Sequence, residues 1–513
     1  MKSKGAVGAV YLVGAGPGDA GLLTLRGAEL LRRADVVIYD LLVNTALLRL
    51  ARPDAELISR RKRSEVSQEN INALMIEKAR QGKNVVRLKG GDPYIFGRGA
   101  EEAIALASAD IQFEVVPGVS SVVAAPNYAG IPLTHREFCS SFTVFTGHEG
   151  DDQSDAGLLY SQIAKIPGTK VALMGTEKLD EWTKAVMANG LAPETPAAIV
   201  QWGTRGKQKS ATGSLSTIAA IAKEKKFSPP ALVILGDVVK LRDQLNWFEK
   251  RPLFGKRIVV TRGRDQAAEL SQKFAGLGAE VLEIPAIKRV QPDNRQDIVD
   301  SLIALNSYDW LIFTSASGVT AFFDLFFRHF HDLRDLGGAK IAAVGPATAA
   351  KLKEMHLQVD AMPEEFVGKK VAEKLTKHSS IENCKICLFR AQDANPDLPN
   401  ALEEFGAITD DIAVYKTVAE TEDISGATAD FLEHGADWIM FTSGSTVKFF
   451  HVRFDLPKLA KQFPAMKLAS IGPETTKMIK SLGLSPKIEA KEHTVDGVVA
   501  ELVRCENAKT LKG

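Results

Sequence analysis

The sequence predicts an α/β protein with several cores, its second half built from two similar lobes. Three observations point there. Short β-branched runs alternate with helical patterns, a set of motifs recurs at a fixed offset, and 513 residues exceed what a single hydrophobic core holds. At roughly 150 residues per domain, the length implies three or four lobes. A composition of 45% hydrophobic and 25% charged residues is that of an ordinary globular chain. A formal charge of +1 gives no global basic field, so neither a nucleic acid nor an anionic membrane is expected as partner. The first residues move into a strand-and-glycine pattern without an apolar leader, and no run of about 18 uncharged apolar residues occurs. A cytoplasmic location is expected.

The elements follow in order. Val7 to Val13 reads as a strand, Leu22 to Arg33 as a helix, and Asp35 to Tyr39 as a second strand. Between the first two lies Gly14-Ala15-Gly16-Pro17-Gly18-Asp19, a glycine-rich turn. Pro17 has no amide to offer a pyrophosphate, which disfavours a dinucleotide and suits an adenosyl ligand lacking phosphate. Two strands end in carboxylates, Val36 to Asp40 and Val85 to Asp92. Ligands of open α/β sheets collect at such strand ends. Arg87 and Lys89 are two apart on a strand and therefore share a face, where they could meet an anionic substrate or pair with acids of a partner. A polar stretch from Leu241 to Gly255 precedes a fresh strand, Arg257 to Val260, and marks a joint between residues 1–247 and 253–508.

Beyond the joint the chain repeats itself. Phe313-Thr314-Ser315 recurs as Phe441-Thr442-Ser443, Val344-Gly345-Pro346 as Ile471-Gly472-Pro473, and Val260-Thr261-Arg262 as Leu388-Phe389-Arg390, all offset by about 128 residues. Two similar lobes follow, with strand-end loops able to face each other across a cleft. Four cysteines do not make a disulfide framework. Cys384 and Cys387 form a C-x-x-C, but on a strand residues three apart point to opposite faces, so no metal is expected.

The first-half segments taken together resemble the tetrapyrrole methylases, and more narrowly uroporphyrinogen-III C-methyltransferases. The resemblance rests on Gly14 to Asp19, Ala34 to Asp40, Val85 to Pro93 with Phe96 to Gly99, Val116 to Gly118, Gly130 to Arg136, Thr146 to His148, and Met174-Gly175. It implies a two-lobed methylase fold. S-adenosylmethionine would lie between the lobes near Pro17, Gly90, Gly91, Asp92, Ser120, Ser121, Met174 and Gly203. It also implies Asp40 as proton acceptor and Lys62 as proton donor. Residues 64–67 depart from the family pattern, which has a glycine and a histidine there. Lys62, Arg63, Arg87, Lys89 and Arg136 are the expected anchors for the polycarboxylate uroporphyrinogen III. His135 and His148 fit either catalytic bases or structural hydrogen bonders. A homodimer through this half is implied as well.

Residues 255 to about 505 resemble uroporphyrinogen-III synthases, a family with a bilobal α/β fold. The resemblance places residues 256–287 and 417–505 in one lobe and 288–416 in the other. It implies closure of hydroxymethylbilane with inversion of its last ring, Tyr415 assisting loss of the hydroxyl. Arg262, Thr314, Ser315, Thr442, Ser443 and Thr475 are the expected substrate contacts, the hydroxyl residues also being ordinary helix caps. The expected function is therefore twofold: cyclisation to uroporphyrinogen III, then two methylations giving precorrin-2. The alternative is a second half that only binds or delivers tetrapyrrole.

Overall fold

Val10, Leu12 and Val13 are buried on both faces of the first strand, as a parallel sheet covered by helices requires. The computed structural model describes residues 7–60, 68–147, 156–364, 368–423 and 425–510. The first sheet comprises β1 (Val10–Gly14), β2 (Val36–Tyr39), β3 (Glu56–Ser59), β4 (Val85–Lys89) and β5 (Phe113–Val116). Its order is β3-β2-β4-β1-β5 and all its strands are parallel. The first strand starts at Val10 rather than Val7, and the expected helix from Leu22 begins as a short 3-10 turn before settling into Leu25–Arg33, capped by the Thr24 hydroxyl.

The second sheet holds β6 (Phe142–Thr146), β7 (Thr169–Leu173), β8 (Pro196–Gln201), β9 (Lys209–Ser214) and β10 (Ala231–Leu235). Its order is β6-β7-β10-β8-β9, with only the β6–β7 pair parallel. The segment read as a polar joint is packed. Phe248 and Leu253 are buried, Trp247 and Phe248 meet the Tyr128 ring at 4.9 and 4.8 Å, and Glu249 accepts hydrogen bonds from Gln208, Ser210 and Arg242.

The second half forms β11 (Arg257–Val260), β12 (Glu280–Glu283), β13 (Ile287–Val290), β14 (Trp310–Phe313), β15 (Lys340–Ala343), β16 (Lys385–Ala391), β17 (Ile408–Ala419), β18 (Trp438–Phe441), β19 (Lys467–Ser470) and β20 (Ile488–Glu489). They make two sheets, β12-β11-β18-β19-β20 and β13-β17-β16-β14-β15. The chain leaves the third sheet after β12, completes the fourth, and returns with β18. The repeat has a tertiary meaning: β11-β18-β19 and β16-β14-β15 occupy matching places in the two sheets. Trp310 and Trp438 open β14 and β18, are both buried, and each lies beneath a lysine, Lys340 at 5.4 Å and Lys467 at 4.7 Å. Cys387 sits in the core on one side of the fourth sheet and Cys384 against the core on the other, as strand geometry demands.

Candidate active sites

The carboxyl ends of β1, β4 and β5 converge through glycines. Gly16 and Gly91 exchange two backbone hydrogen bonds, at 3.2 and 2.8 Å. A Cβ on Gly118 would fall 2.2 Å from the Gly91 oxygen, and one on Gly14 would fall 2.5 Å from the Gly118 Cα, so these three loops touch only because side chains are absent. Asp92 locks them: its Oδ1 accepts from the Tyr94 amide at 2.8 Å and its Oδ2 from the Gly118 amide at 3.0 Å. Gly91 also abuts the start of the helix Ser121–Tyr128, where Ser120 caps the Val122 amide. From the second sheet, the loop Trp202-Gly203-Thr204 reaches this point. The Thr204 hydroxyl accepts from the Asp19 amide at 3.0 Å, Tyr128 donates to Asp19 at 2.8 Å, and Gly203 lies directly on Ala125. Met174, half exposed, follows β7 in a left-handed conformation. Pro17, Gly90, Gly91, Asp92, Ser120, Ser121 and Gly203 are thus held in one neighbourhood by hydrogen bonds and close backbone contacts.

Beside it lies a charge network. Arg87 is 0% exposed, and its guanidinium bridges Asp40 Oδ1 at 2.5 Å and Glu102 Oε1 at 3.1 Å. Lys89 meets Glu102 Oε2 at 2.9 Å, and Arg60 approaches Asp40 at 3.8 Å. Burial opposes charge on Arg87, yet Asp40 and Glu102 outweigh it and hold its pKa above the ordinary value. Lys89 is pushed down by burial and by Arg87, against the pull of Glu102. The Asp40 side chain keeps 24% of its surface open.

A second cleft lies at the carboxyl ends of the third and fourth sheets. The Tyr415 hydroxyl stands 3.2 Å from that of Ser315, and Arg289 lies over the Tyr415 ring at 6.0 Å. Arg262, at the end of β11, donates to Gln266, whose amide donates in turn to Ser317 across the cleft at 3.0 Å. Burial pushes the pKa of Arg262 down. Burial does the same to Arg289, with Arg262 adding to the effect and Tyr415 opposing it. The repeat counterpart of Arg262 is Arg390, which is neutralised by Asp411. The repeat position of Asp411 is Glu283, which is paired with Arg49, and Arg262 instead donates to the neutral Gln266.

Comparison with known proteins finds two families along the chain. The family model for tetrapyrrole (corrin/porphyrin) methylases matches residues 9–219, and that for uroporphyrinogen-III synthase HemD matches residues 268–500. A protein named porphyrin biosynthesis protein HemD, from Ruminiclostridium josui, is 38% identical over 97% of this chain and 98% of its own length. The chain belongs to the family that fuses a tetrapyrrole methylase to a uroporphyrinogen-III synthase. The uroporphyrinogen-III C-methyltransferase of Bacillus subtilis (strain 168) is 38% identical over 73% of this chain and 78% of its own. An S-adenosyl-L-methionine-dependent uroporphyrinogen III methyltransferase of Methanosarcina barkeri (strain Fusaro) is 47% identical over 47% of this chain and 96% of its own. The protein is thus a bifunctional enzyme of tetrapyrrole biosynthesis, of α/β class in both halves.

Several expected contacts of this methylase–synthase fusion are corrected by the geometry. Arg87 and Lys89 do share a face, but that face is covered by the helix Gly99–Ser108, which carries Glu102, so both cations are buried in ion pairs rather than offered to substrate. Thr475 is also turned inward, at 3% exposure, as is its counterpart Thr348. A buried threonine in the first turn of each Gly-Pro helix is a packing position of the repeat. Ser315 and Ser443 both cap their helices, and Ser315 also reaches Tyr415. Thr314 and Thr442 are half-buried at the ends of their strands. Arg136 is exposed in the turn where His135 accepts the Glu137 amide, a structural hydrogen bond for that histidine. Lys62, Arg63 and His148 lie outside the described residues. Two residues were not singled out from the sequence. Glu102 was signalled only by the acidic pair in the first turn of its helix, and Arg289 by its even spacing from Ile287 in a strand ending toward the cleft. Among the described residues, no helix is long and apolar enough to cross a membrane.

Proposed function

We propose that the second half, residues 253–508, cyclises hydroxymethylbilane to uroporphyrinogen III. We further propose that the first half, residues 1–247, methylates that product at C2 and C7 with S-adenosylmethionine, giving precorrin-2. The observation that carries this reading is one chain with two separate strand-end clefts, each fitted to its half of the sequence. The first is a glycine-lined niche beside an acid, and the second is a cleft with arginines and a tyrosine.

The glycine cradle fits a methyl donor without phosphate. A Cβ at Gly14 or Gly118 would collide with the neighbouring backbone, and Pro17 offers no amide. S-adenosylmethionine, when bound, supplies an electrophilic sulfonium methyl. The chain then has to place a nucleophilic pyrrole carbon in line with it and remove the ring proton. Asp40 is suited to take that proton: it is partly open, at a strand end, and oriented by Arg87. Lys62 is assigned proton donation, and Arg63 and Arg136 the propionates and acetates of the ring. In the second cleft, Arg262 and Arg289 gather the carboxylates of the linear substrate, with Thr314, Ser315, Thr442 and Ser443 supplying hydroxyls and helix-start amides. Tyr415, hydrogen-bonded to Ser315, assists departure of the hydroxyl.

The test is a time course of the whole chain with hydroxymethylbilane, with and without S-adenosylmethionine. Uroporphyrinogen III should form in both reactions and the dimethylated product only with the donor. Formation of the type-I isomer alone would sink the synthase assignment. Asp40→Ala should leave cyclisation intact and slow methylation by about 100-fold or more; an unchanged methylation rate would remove Asp40 from the mechanism.

A further inference from the structure

Glu280, which opens β12 in the synthase half, lies against the methylase loop that carries Gly203. It is buried, and its Oε1 lies 3.2 Å from the Arg205 guanidinium and 3.7 Å from the Lys207 ammonium. Those two cations flank the Trp202 ring, Lys207 at 4.1 Å and Arg205 at 5.6 Å from its centre. The backbone joins as well. A Cβ on Gly206 would fall 2.1 Å from the Glu280 amide nitrogen, and the Gly206 carbonyl accepts from the Gly255 amide at 3.2 Å. A second ion pair, Arg49 to Glu283 at 2.8 Å, ties the first sheet's half to the same strand.

The loop held this way is strained. Trp202 and Thr204 both adopt the left-handed conformation, at φ 49° and 73°, although neither is glycine. Such a conformation persists only where the surroundings over-determine it. On one side Thr204 receives the Asp19 amide and Gly203 rests on Ala125. On the other, Arg205 and Lys207 require a counter-charge, since burial pushes Lys207 down and Arg205 adds to this. Glu280 is the carboxylate that meets both. A Cβ on Gly18 would fall 2.8 Å from the Arg205 side chain, so Arg205 packs directly on the glycine turn as well as on its own loop.

We infer that Glu280 is a positioning residue for the methylation reaction, and that the synthase half thereby holds the loop of the methyl-donor niche in shape. The inference rests on the proposed placement of S-adenosylmethionine near Gly203. Glu280 stands at the amino end of β12, away from the carboxyl ends where Arg262 and Tyr415 gather, so its effect falls on the other half's reaction. The test uses the full chain and three variants, Glu280→Gln, Arg205→Gln and the double variant. Binding of S-adenosylhomocysteine is measured by calorimetry, and the KM for S-adenosylmethionine is separated from kcat.

Glu280→Gln is expected to weaken S-adenosylhomocysteine and raise that KM by about threefold to tenfold. The KM for uroporphyrinogen III, kcat at saturating donor, and the cyclisation rate should stay within about twofold. The double variant should be little worse than either single one, because the two residues act through one contact. Cofactor affinity unchanged in Glu280→Gln, or strictly additive losses in the double variant, would overturn the inference and leave the proposed function standing. Failure of the unsubstituted chain to bind S-adenosylhomocysteine would overturn both.

Discussion

Arg87→Met replaces the guanidinium at the centre of the buried network by an apolar chain of similar length. In the native protein three cations, Arg60, Arg87 and Lys89, face two carboxylates, Asp40 and Glu102, and Arg87 touches both acids. The variant leaves Asp40 facing Arg60 at 3.8 Å, beyond hydrogen-bond reach. Removing one partner of a buried pair costs about 3–5 kcal/mol. The lower end applies here, because Glu102 keeps Lys89 at 2.9 Å and Asp40 has 24% of its side chain open to water. A loss of about 3 kcal/mol corresponds to roughly 100-fold faster opening-limited amide exchange in the elements that carry the network. A protein with several cores has no single unfolding transition. The suitable measurement is therefore hydrogen exchange by mass spectrometry, on peptides spanning Val85–Lys89 and Gly99–Ser108. Adding Asp40→Asn removes the carboxylate that has lost its close partner and should recover at least half of the lost protection. If Arg87→Met exchanged within about threefold of the native chain, the network would not stabilise the first sheet, and the account of why Arg87 is buried would be wrong.

In the second cleft, Arg289→Met should raise the KM for hydroxymethylbilane by about tenfold or more, the worth of a charged hydrogen bond, with less effect on kcat. Steady-state cyclisation assays read this directly, and an unchanged KM would remove Arg289 from substrate binding. Glu506 is buried beneath Lys467 and Lys256 and accepts the Trp438 indole N–H at 3.1 Å. Burial raises its pKa, but the two ammonium groups overcome this and hold it at about 2, against an ordinary 4.5. Because the folded value is the lower one, Glu506 contributes stability above pH 4.5 that is lost as pH falls through about 2, on the order of 3 kcal/mol. Glu506→Gln should therefore flatten the acid limb of stability between about pH 5 and 2, followed by exchange in peptides covering β18 and β19. An acid limb of native steepness in that variant would refute the assignment.

Much of the architecture is written locally. The continuous β-branched run Ile258-Val259-Val260 reads as a strand buried on both faces. The opposed thiols of Cys384 and Cys387 follow from the same pleat, and the recurrence of Phe-Thr-Ser and Gly-Pro foretells two lobes with matching strands. The glycine turn with Pro17, and the acids at the ends of β2 and β4, are likewise legible, because backbone freedom and strand-end position are properties of a few neighbouring residues. Facing is another matter. Alternation says that Arg87 and Lys89 share a face, but only the path of the helix Gly99–Ser108 decides whether that face meets solvent, substrate or Glu102. Arg262 and Arg390 are equivalent in the repeat, and it takes the fold to pair Arg390 with Asp411 while the matching acid, Glu283, is turned to Arg49 and Arg262 donates to a neutral Gln266. The reach of Glu280 to Arg205 joins residues 75 apart in the chain across two halves, and the packed joint brings Trp247 to Tyr128. Sequence by itself determined the elements, the repeat and the chemical character of the strand ends. Tertiary structure decided which charges are neutralised and which remain for a ligand, because charge pairing depends on distances between segments that no local pattern encodes.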